Sequence, residues 1–240
     1  ANNFYWDFGI GFFNSGNANQ NTTFNATGNY TTTLVANIAG GTASCFDTTE
    51  IGIHVLPSPV AAFDLSEDEA CDSLTTVITD LSQNALIWEW DFDNGNISAV
   101  GNPPNQFYSG QGTYTIELKV EHANSCRDSI TQDVVIYESP EAAFTPLNFC
   151  QEAEAVFTDQ STHLPGDPII NWSWDFGNGN TSTLQNPVNV YFNAQTYAIQ
   201  LLVETTQCAD TLDTTLLVPP KPVADFTPSD TAGCEPLVVH

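Results

Sequence analysis

The chain has 240 residues, of which 29 are acidic and only three, Lys119, Arg127 and Lys221, are basic, so its formal net charge is −26. A negative field of this size repels phosphate backbones and anionic lipid surfaces, which excludes nucleic-acid binding. The sequence contains no apolar run of about 18 residues and no basic segment followed by an apolar one, so this segment has neither a membrane span nor a signal peptide.

One phrase recurs along the chain at a fixed interval. Trp-Asp-Phe followed by Gly or Asp begins at Trp6, Trp90 and Trp174, so both intervals are 84 residues. The chain is therefore a tandem array of one repeating unit of about eighty residues. We predict a partial unit at 1–57 that lacks its first strands, complete units at 58–138 and 139–219, and the start of a further unit at 220–240. Because half a β-domain cannot bury its core, we expect a longer repetitive protein.

The apolar pattern within 58–138 is that of short β-strands. Apolar and polar residues alternate, and turn signals recur every eight to twelve residues, which is typical of a β-sandwich. Alternate residues from Tyr114 to Val120 are apolar and share one face, which we expect to be core. The pattern predicts six strands, at 60–65, 74–81, 86–93, 97–100, 112–121 and 129–137.

Tryptophans two residues apart mark the next predicted core position. Trp88 and Trp90 face the same side of a strand, as do Trp172 and Trp174. One of each pair is predicted to fill the space between two sheets, since a large aromatic ring contributes most when it is buried.

A turn follows each of these strands. Asn94-Gly95 and Asn178-Gly179 are predicted to supply the positive φ values of a tight hairpin turn. Asp7, Asp91 and Asp175 recur just before it, and their carboxylates are predicted to accept backbone N–H groups where the strand turns.

The sequence predicts no enzyme active site. Asp91 and Asp93 could form a carboxylate pair, but Gly9 and Gly177 stand at the second position in the other units. Neither a Ser-His-Asp set nor a phosphate loop occurs.

No cofactor is predicted, and calcium is the alternative. The cysteines form no Cys-x-x-Cys pair and the four histidines occupy non-equivalent positions, which argues against zinc. Carboxylate oxygens suit calcium, and one loop concentrates four of them, although the next unit does not repeat this cluster and a solvated acidic loop is the favoured interpretation. The calcium candidates are Glu67, Asp68, Glu69 and Asp72.

Five ordered landmarks resemble a known family. They are Ala143-Phe144 at the start, Trp-Asp-Phe-Gly-Asn-Gly at 174–179, Asn186-Pro187 before an aromatic residue, Gly-Thr-Tyr-Thr-Ile-Glu-Leu-Lys-Val at 112–120, and a closing Val-Val-Ile-Tyr at 134–137. Together they resemble PKD (polycystic kidney disease) domains. The resemblance implies an all-β fold of tandem immunoglobulin-like, seven-stranded sandwiches in an elongated array. The cysteine-bearing variant resembles modules of long bacterial cell-surface proteins, including gliding adhesins exported by the type IX route, which implies an extracellular or cell-surface location.

Six cysteines in repeating β-units indicate disulfides and an oxidising setting. Sequence alone leaves three connectivities open, namely within a unit, between sequence neighbours across a linker, or from one unit to the far loop of the next. In the implied sandwich Cys71 would lie in the loop between the first two strands and Cys126 at the opposite pole, roughly 25–30 Å away, whereas a disulfide accepts only about 4.4–6.8 Å between Cα atoms.

End-to-end stacking of units would instead bring Cys71 close to Cys208, and we favour that bond. The remaining cysteines, which we expect to pair outside these 240 residues, are Cys45, Cys126, Cys150 and Cys234.

Two modification patterns occur. Asp followed by Ser or Thr and an apolar residue resembles a bacterial periplasmic O-glycosylation acceptor, although a strand that simply begins with Asp-Thr explains it equally well. These candidate acceptors are Thr48, Ser73, Ser129, Thr211, Thr214 and Thr231. Asn-x-Ser/Thr sequons also occur, including those at Asn96 and Asn180.

We interpret the chain as a structural repeat segment of a giant extracellular or cell-surface protein that forms a rigid stalk or filament for adhesion, gliding or matrix building. Its expected partners are neighbouring repeats, other copies in a fibre, and surface glycans or matrix. The alternative is a set of carbohydrate-binding accessory modules of a secreted glycanase or protease, which predicts the same exposed aromatic residue in every unit. Strand exchange between separate chains is a third, less favoured, possibility.

Overall fold

The protein is described by a computed structural model that covers residues 2–15, 19–38, 45–227 and 231–236. These residues form twenty β-strands and one short 3-10 turn, and no helix among them is long and apolar enough to cross a membrane. The chain divides into two compact units. The first comprises Ala1–Asp68, Thr75–Phe107 and Thr113–Val134, and the second comprises Glu69–Leu74, Tyr108–Gly112 and Val135–His240.

The first four strands form one antiparallel sheet. They are β1 (Asn2–Asp7), β2 (Phe12–Ser15), β3 (Gly28–Ile38) and β4 (Cys45–Val55), in the order β2-β1-β3-β4. Trp6 pairs with Leu34 across β1 and β3, and the rings of Trp6 and Phe8 stack 5.6 Å apart. Strand β4 is exposed along almost its whole length.

The middle repeat contributes nine strands in three sheets. They are β5 (Phe63–Leu65), β6 (Glu69–Cys71), β7 (Ser73–Thr76), β8 (Ile78–Asp80), β9 (Ile87–Asp91), β10 (Ile97–Ser98), β11 (Gln106–Ser109), β12 (Gly112–Glu121) and β13 (Arg127–Tyr137). The largest sheet has the order β10-β9-β12-β13-β6, while β11 pairs with β7 and β5 with β8.

The core of the first unit forms around one tryptophan. Trp90 is 2% exposed, stacks on Phe92 and meets the ring of Phe63 edge-on at 5.2 Å. Ile116 and Leu118 on β12 are fully buried, as the alternation predicted. The structure therefore selects Trp90, rather than Trp88, as the core member of the first pair.

The last complete repeat is a two-layer sandwich that lies entirely in the second unit. Its strands are β14 (Phe144–Leu147), β15 (Glu154–Asp159), β16 (Asn171–Asp175), β17 (Thr181–Ser182), β18 (Val188–Val190), β19 (Thr196–Glu204) and β20 (Ala209–Leu217). The sheets have the orders β14-β15-β18 and β17-β16-β19-β20. Phe157 from one sheet and Trp174 and Leu201 from the other share a single buried core, so the fold is an immunoglobulin-like sandwich.

Two predicted strands had wrong boundaries, and two strands were not predicted. The predicted strand 60–65 begins only at Phe63, and the predicted strand 74–81 is divided at Val77, whose N–H is donated to the Ser66 hydroxyl. Strands β6 and β11 were missed. Cys71, predicted in a loop, is the last residue of β6 because that segment pairs in parallel with the end of β13.

The turn after β9 also differs from the two-residue hairpin that Asn-Gly predicted. Asp91 pairs with Ile97, which leaves five residues in the loop, and the positive φ values belong to Asp93 (56°) and Gly95 (87°) rather than to Asn94. The reason is the Asp91 carboxylate, which accepts the Asp93 N–H at 3.0 Å and so starts the turn one residue earlier.

We predict that Gly177→Ala destabilises the second unit more than Gly179→Ala does. Both glycines have positive φ, which costs an alanine about 1–2 kcal/mol. A Cβ on Gly177 would also overlap the carbonyl oxygen of Ala198, whereas a Cβ on Gly179 meets open space, so Gly177→Ala should cost at least about 1 kcal/mol more. Urea denaturation measures the difference, and equal midpoints for the two variants would contradict it.

Candidate functional site

The structure contains a disulfide between Cys71 and Cys208, which is the pairing favoured from the sequence. Their Cα atoms are 5.9 Å apart, within the range that a disulfide accepts, and 137 residues separate them in sequence. Both cysteines belong to the second compact unit. The bond closes a very long loop, and bonds of that kind restrict the unfolded chain most strongly.

Cys71 lies on a strand that is held by the end of its own repeat. Strand β6 pairs in parallel with the end of β13, with Cys71 opposite Tyr137. The Asp72 N–H continues this pairing with a 2.7 Å hydrogen bond to the Tyr137 carbonyl. The Asp72 carboxylate then accepts the Ser139 N–H at 3.0 Å and the Ser139 hydroxyl at 2.9 Å. The cysteine is therefore fixed against the segment that leads into the following repeat.

Cys208 lies in the tight turn between β19 and β20. Its carbonyl accepts the Thr205 N–H at 2.8 Å, and its own N–H is donated to the Thr205 hydroxyl at 3.1 Å. The Thr206 hydroxyl is donated to Asp167 at 2.8 Å, and hydrogen bonds from Thr206 and Thr205 lower the pKa of the Asp167 carboxyl. Cys208 is only 4% exposed, so this end of the bond is buried.

A shallow cleft of about 230 Å³ lies in the second unit next to these residues. Its lining includes Gln111, Glu138, Asp167 and Gln207, which are polar or acidic. Asp167 is already committed to Thr206.

The candidate catalytic pair is occupied by backbone contacts. Asp91 caps the N–H of Asp93, and Asp93 accepts the Thr115 N–H at 3.0 Å. Asp7 and Asp175 likewise accept the N–H groups of Gly9 and Gly177, each at 2.8 Å. The prediction that these recurring aspartates stabilise turns is confirmed.

Three of the four calcium candidates take part in separate hydrogen bonds. Asp72 binds Ser139, and Glu69 accepts the Tyr137 hydroxyl at 3.4 Å. The carbonyl of Glu67 accepts the Thr76 hydroxyl. In the part of the chain that the structure describes, no group of three or more His, Cys, Asp or Glu side chains could hold a metal ion. Calcium at Glu67, Asp68, Glu69 and Asp72 stays a prediction.

The aspartates of two candidate glycosylation motifs have a structural role that was not predicted from the sequence. Asp128 accepts the Ala61 N–H and Asp210 accepts the Ala142 N–H, each at 2.8 Å. Each carboxylate thus attaches the first segment of its repeat to the last strand. The signal was present in the sequence, since Cys-x-Asp recurs at Cys45, Cys126 and Cys208.

The hydroxyl-bearing residues of those motifs are all exposed, at Thr48, Ser73, Ser129, Thr211, Thr214 and Thr231, whereas Asp230 lies outside the described residues. Two of the asparagine sequons have a competing role. The side-chain N–H groups of Asn96 and Asn180 are donated to Gln106 at 3.1 Å and to Asn189 at 2.7 Å. Glycosylation of any of these positions stays a prediction.

The first tryptophan of each pair, Trp88 or Trp172, forms a hydrogen bond through its indole N–H. The indole N–H of Trp88 is donated to Asp80 at 2.8 Å, and that of Trp172 to Asp159 at 2.9 Å. Burial raises the pKa of Asp159, but hydrogen bonds from Ser161, Gln185 and Trp172 outweigh burial, so this pKa lies below its ordinary value.

Exposed aromatic rings do not recur at one position. Among the described residues the strongly exposed ones are Phe46, Phe107, Phe192 and Phe226. Phe226 corresponds to Phe63 and Phe144, which contact the core in their own repeats. Phe107 precedes the buried Tyr108 and Phe192 follows the buried Tyr191, so these two rings are near one another in the repeat but do not share one position.

Two stretches, 56–136 and 137–217, match the family model described as the PKD domain. The chain is also similar to Collagenase ColA from Bacillus cereus, with 29% identity over 103 residues. That alignment covers 40% of this chain and 11% of the collagenase. The chain therefore spans only about a tenth of the length of this relative.

Two solved structures are similar to one repeat. The PKD1 domain of Vibrio anguillarum Epp is 25% identical, and the match covers 35% of this chain and 96% of that domain with a TM-score of 0.32. The PKD1 domain of the Vibrio cholerae metalloprotease PrtV is 29% identical, with coverages of 34% and 98% and a TM-score of 0.31.

We predict that replacing Cys71 and Cys208 together by serine lowers the free energy of unfolding by about 2–4 kcal/mol, because the unfolded chain regains the freedom of a closed loop. Thermal unfolding with and without a reducing agent measures this effect. The double variant should be insensitive to reductant. Cys126→Ser is the matched control, since Cys126 is a free thiol and its removal should leave the reductant-sensitive component unchanged.

We also predict an acid-sensitive contribution from Asp159. Since its folded pKa is lowered, the stability that it contributes is present above its unfolded pKa of about 3.9 and is lost as the pH falls through the lower folded value. Asp159→Asn should cost about 1 kcal/mol at pH 6 and less at pH 2.5. Urea midpoints at the two pH values test this. The exposed Glu154→Gln is the control, and a pH-independent difference for Asp159→Asn would contradict the prediction.

Proposed function

The chain belongs to the PKD domain family, and we propose that it is a structural segment of a secreted or surface-anchored bacterial protein, whose linked repeats build a stiff stalk or filament for adhesion, gliding or matrix assembly. PKD domains are non-catalytic accessory modules, although relatives such as Collagenase ColA are enzymes. The proposal therefore concerns mechanical support rather than chemistry.

The observation that carries the proposal is the Cys71–Cys208 bond. Cys71 belongs to the first PKD match and Cys208 to the second, so successive repeats are joined covalently as well as by the chain itself. Domains connected by a short linker move relative to one another by default. A second covalent connection removes much of that freedom, which is useful to a load-bearing segment.

The use of polar side chains also supports a structural role. Asp91 and Asp175 cap turns, Asp128 and Asp210 attach first segments to last strands, and Asp159 orients a tryptophan. These recurring carboxylates are committed to their own repeat. The side chains that repeat along the chain therefore stabilise copies of the fold rather than forming a ligand site.

An extracellular location is consistent with the same features. PKD domains are typical of extracellular or secreted bacterial proteins, as in the collagenase and the metalloprotease to which this chain is similar. A disulfide persists in such oxidising surroundings and is rare in the cytosol.

The alternative is an accessory module that holds a secreted protease or glycanase on an insoluble substrate. It is favoured by the similarity to a collagenase and to a domain of a metalloprotease. Against it, the indole N–H groups of Trp88 and Trp172 are held by Asp80 and Asp159, and the exposed aromatic rings of the described residues do not recur at one position. A carbohydrate-stacking strip would need such a recurring ring.

Single-molecule force extension tests the mechanical role. When the oxidised chain is pulled from its two ends, the 137-residue loop cannot extend, so full unfolding should yield about 450 Å less extension than in the presence of reductant. The Cys71→Ser, Cys208→Ser double variant should extend fully under both conditions. Equal extension of the oxidised and reduced chains would contradict the proposal.

Two further experiments separate the proposed function from its alternative. Immunogold labelling of intact cells with antibodies against this chain should decorate surface fibres, and label confined to soluble enzyme in the medium would oppose the proposal. Purified chain should remain unbound on collagen, chitin and cellulose, whereas saturable retention on any of them would favour the accessory-module alternative.

A further inference from the structure

We propose that Cys150 forms the same kind of disulfide as Cys71, its partner being the cysteine of a Cys-x-Asp sequence in another copy of the repeat, and that Cys126 is such a partner for a cysteine of the Cys71 type. The inference rests on the proposed function and deepens it, because it extends one bond into a regular ladder of bonds.

The six cysteines fall into two structural classes, and the observed bond joins one of each. We call Cys71, Cys150 and Cys234 the seat cysteines, and Cys45, Cys126 and Cys208, each of which begins a Cys-x-Asp sequence, the hairpin cysteines. Cys71 and Cys208 are bonded, and the other four are free thiols.

The seat at Cys150 shares its backbone hydrogen bond with the seat at Cys71, although Cys71 ends strand β6 and Cys150 lies outside any strand. In the first seat, the N–H of Asp72 is donated to the Tyr137 carbonyl at 2.7 Å; in the second, the N–H of Gln151 is donated to the Pro219 carbonyl at 3.0 Å. In both, the residue that follows the cysteine pairs with the chain just as it leaves the repeat.

The side chains of these two residues act alike as well. Asp72 accepts the Ser139 N–H at 3.0 Å, and Gln151 accepts the Lys221 N–H at 3.4 Å. The second seat has an additional ion pair, in which Lys221 lies 3.1 Å from Glu152. The segment that leaves the repeat is therefore held beside Cys150 as it is beside Cys71. Cys150 itself is exposed.

The hairpin at Cys126 corresponds to the hairpin at Cys208, although its loop is one residue longer and contains a 3-10 turn. The carbonyl of Cys126 accepts the His122 N–H at 2.9 Å, and that of Cys208 accepts the Thr205 N–H at 2.8 Å. Two residues later, Asp128 and Asp210 attach the first segment of their repeats by identical bonds. Since a corresponding backbone hydrogen bond and a corresponding side-chain contact recur at each half of the bonded pair, each complete repeat offers one seat and one hairpin.

The pairing of unlike classes makes the contact head-to-tail. A seat joins a hairpin of a different copy, so the contact does not close on itself and can propagate along an array. Each new bond consumes two protein thiols and one disulfide of an oxidant of the thiol–disulfide exchange class, which leaves as two thiols. The cysteine on the partner repeat can belong to the same polypeptide or to a neighbouring one, and the chemistry is the same.

The test is disulfide mapping of the natural protein. Cells are lysed in iodoacetamide, the protein is digested after glutamate and aspartate without reduction, so that Cys208 and Cys234 lie in different peptides, and linked peptides are identified by mass spectrometry. We expect the Cys150 peptide to be linked to a peptide that contains Cys-x-Asp, and the Cys126 peptide to a seat-type peptide, with Cys71 linked to Cys208 as an internal control. Alkylated Cys150 or Cys126, or a seat-to-seat or hairpin-to-hairpin link, would overturn the proposal.

A variant adds an independent readout. Cys150→Ser in the natural gene should expose one additional Cys-x-Asp cysteine to alkylation and leave the Cys71–Cys208 link intact, whereas Cys71→Ser should expose Cys208 instead. If Cys150→Ser exposes no new cysteine, the proposed series of disulfides between repeats is wrong. Non-reducing electrophoresis of the protein carrying the Cys150 link then identifies the partner's source, since links between polypeptides give oligomers that reductant dissolves.

The two proposals fail separately. A Cys71–Cys208 link beside an alkylated Cys150 would end the ladder and leave the structural role standing. Absence of labelled fibres from the cell surface would end the structural role whatever Cys150 is bonded to.

Discussion

The burial of one tryptophan per repeat is the interaction on which the sandwich depends. Trp90 and Trp174 are 2% and 1% exposed, and each donates its indole N–H to a backbone carbonyl, of Val100 and Leu184, at 2.9 Å. Phe63 and Phe144 meet these rings edge-on. Loss of such a side chain costs about 3–5 kcal/mol, which is a large fraction of the stability of a small domain. The contacts of this ring therefore determine how the two sheets are positioned.

Polar side chains around that core hold the ends of the strands in place. The same contacts position the connection between successive repeats. Asp128 and Asp210 attach first segments to the strands that carry the hairpin cysteines, and Asp72 holds the segment after Tyr137 beside the seat cysteine. The thiols are thereby placed by the same polar contacts that complete each repeat. Residues Glu69–Leu74, although they precede most of the middle repeat's strands, group with the second compact unit, so the compact units and the sequence repeats have different boundaries.

Strict period-two alternation made strand β12 predictable, because Ile116, Leu118 and Val120 are all buried. Strand β11 was missed because the first of its two inward residues, Gln106, is polar and lies shortly after two prolines. The burial of Gln106 depends on hydrogen bonds to Pro104 and Asn96 that no local pattern reveals. Strand β6 reads as an acidic loop, since it forms only against the distant end of β13. The disulfide was favoured by excluding partners at opposite poles, whereas the Asp128 and Asp210 clamps needed coordinates because they join residues 67 and 68 apart.

The scarcity of lysine and arginine also governs how the protein is broken down. Enzymes of the trypsin type cut after those residues alone, and they require an extended, accessible backbone. Lys119 lies inside β12 and Arg127 begins β13, each bound to a glutamate at 2.8 and 2.7 Å, while the bond after Lys221 precedes Pro222 and is a poor substrate. The folded chain therefore offers few accessible cleavage sites to proteases of this type, as a consequence of its composition as well as of its folding.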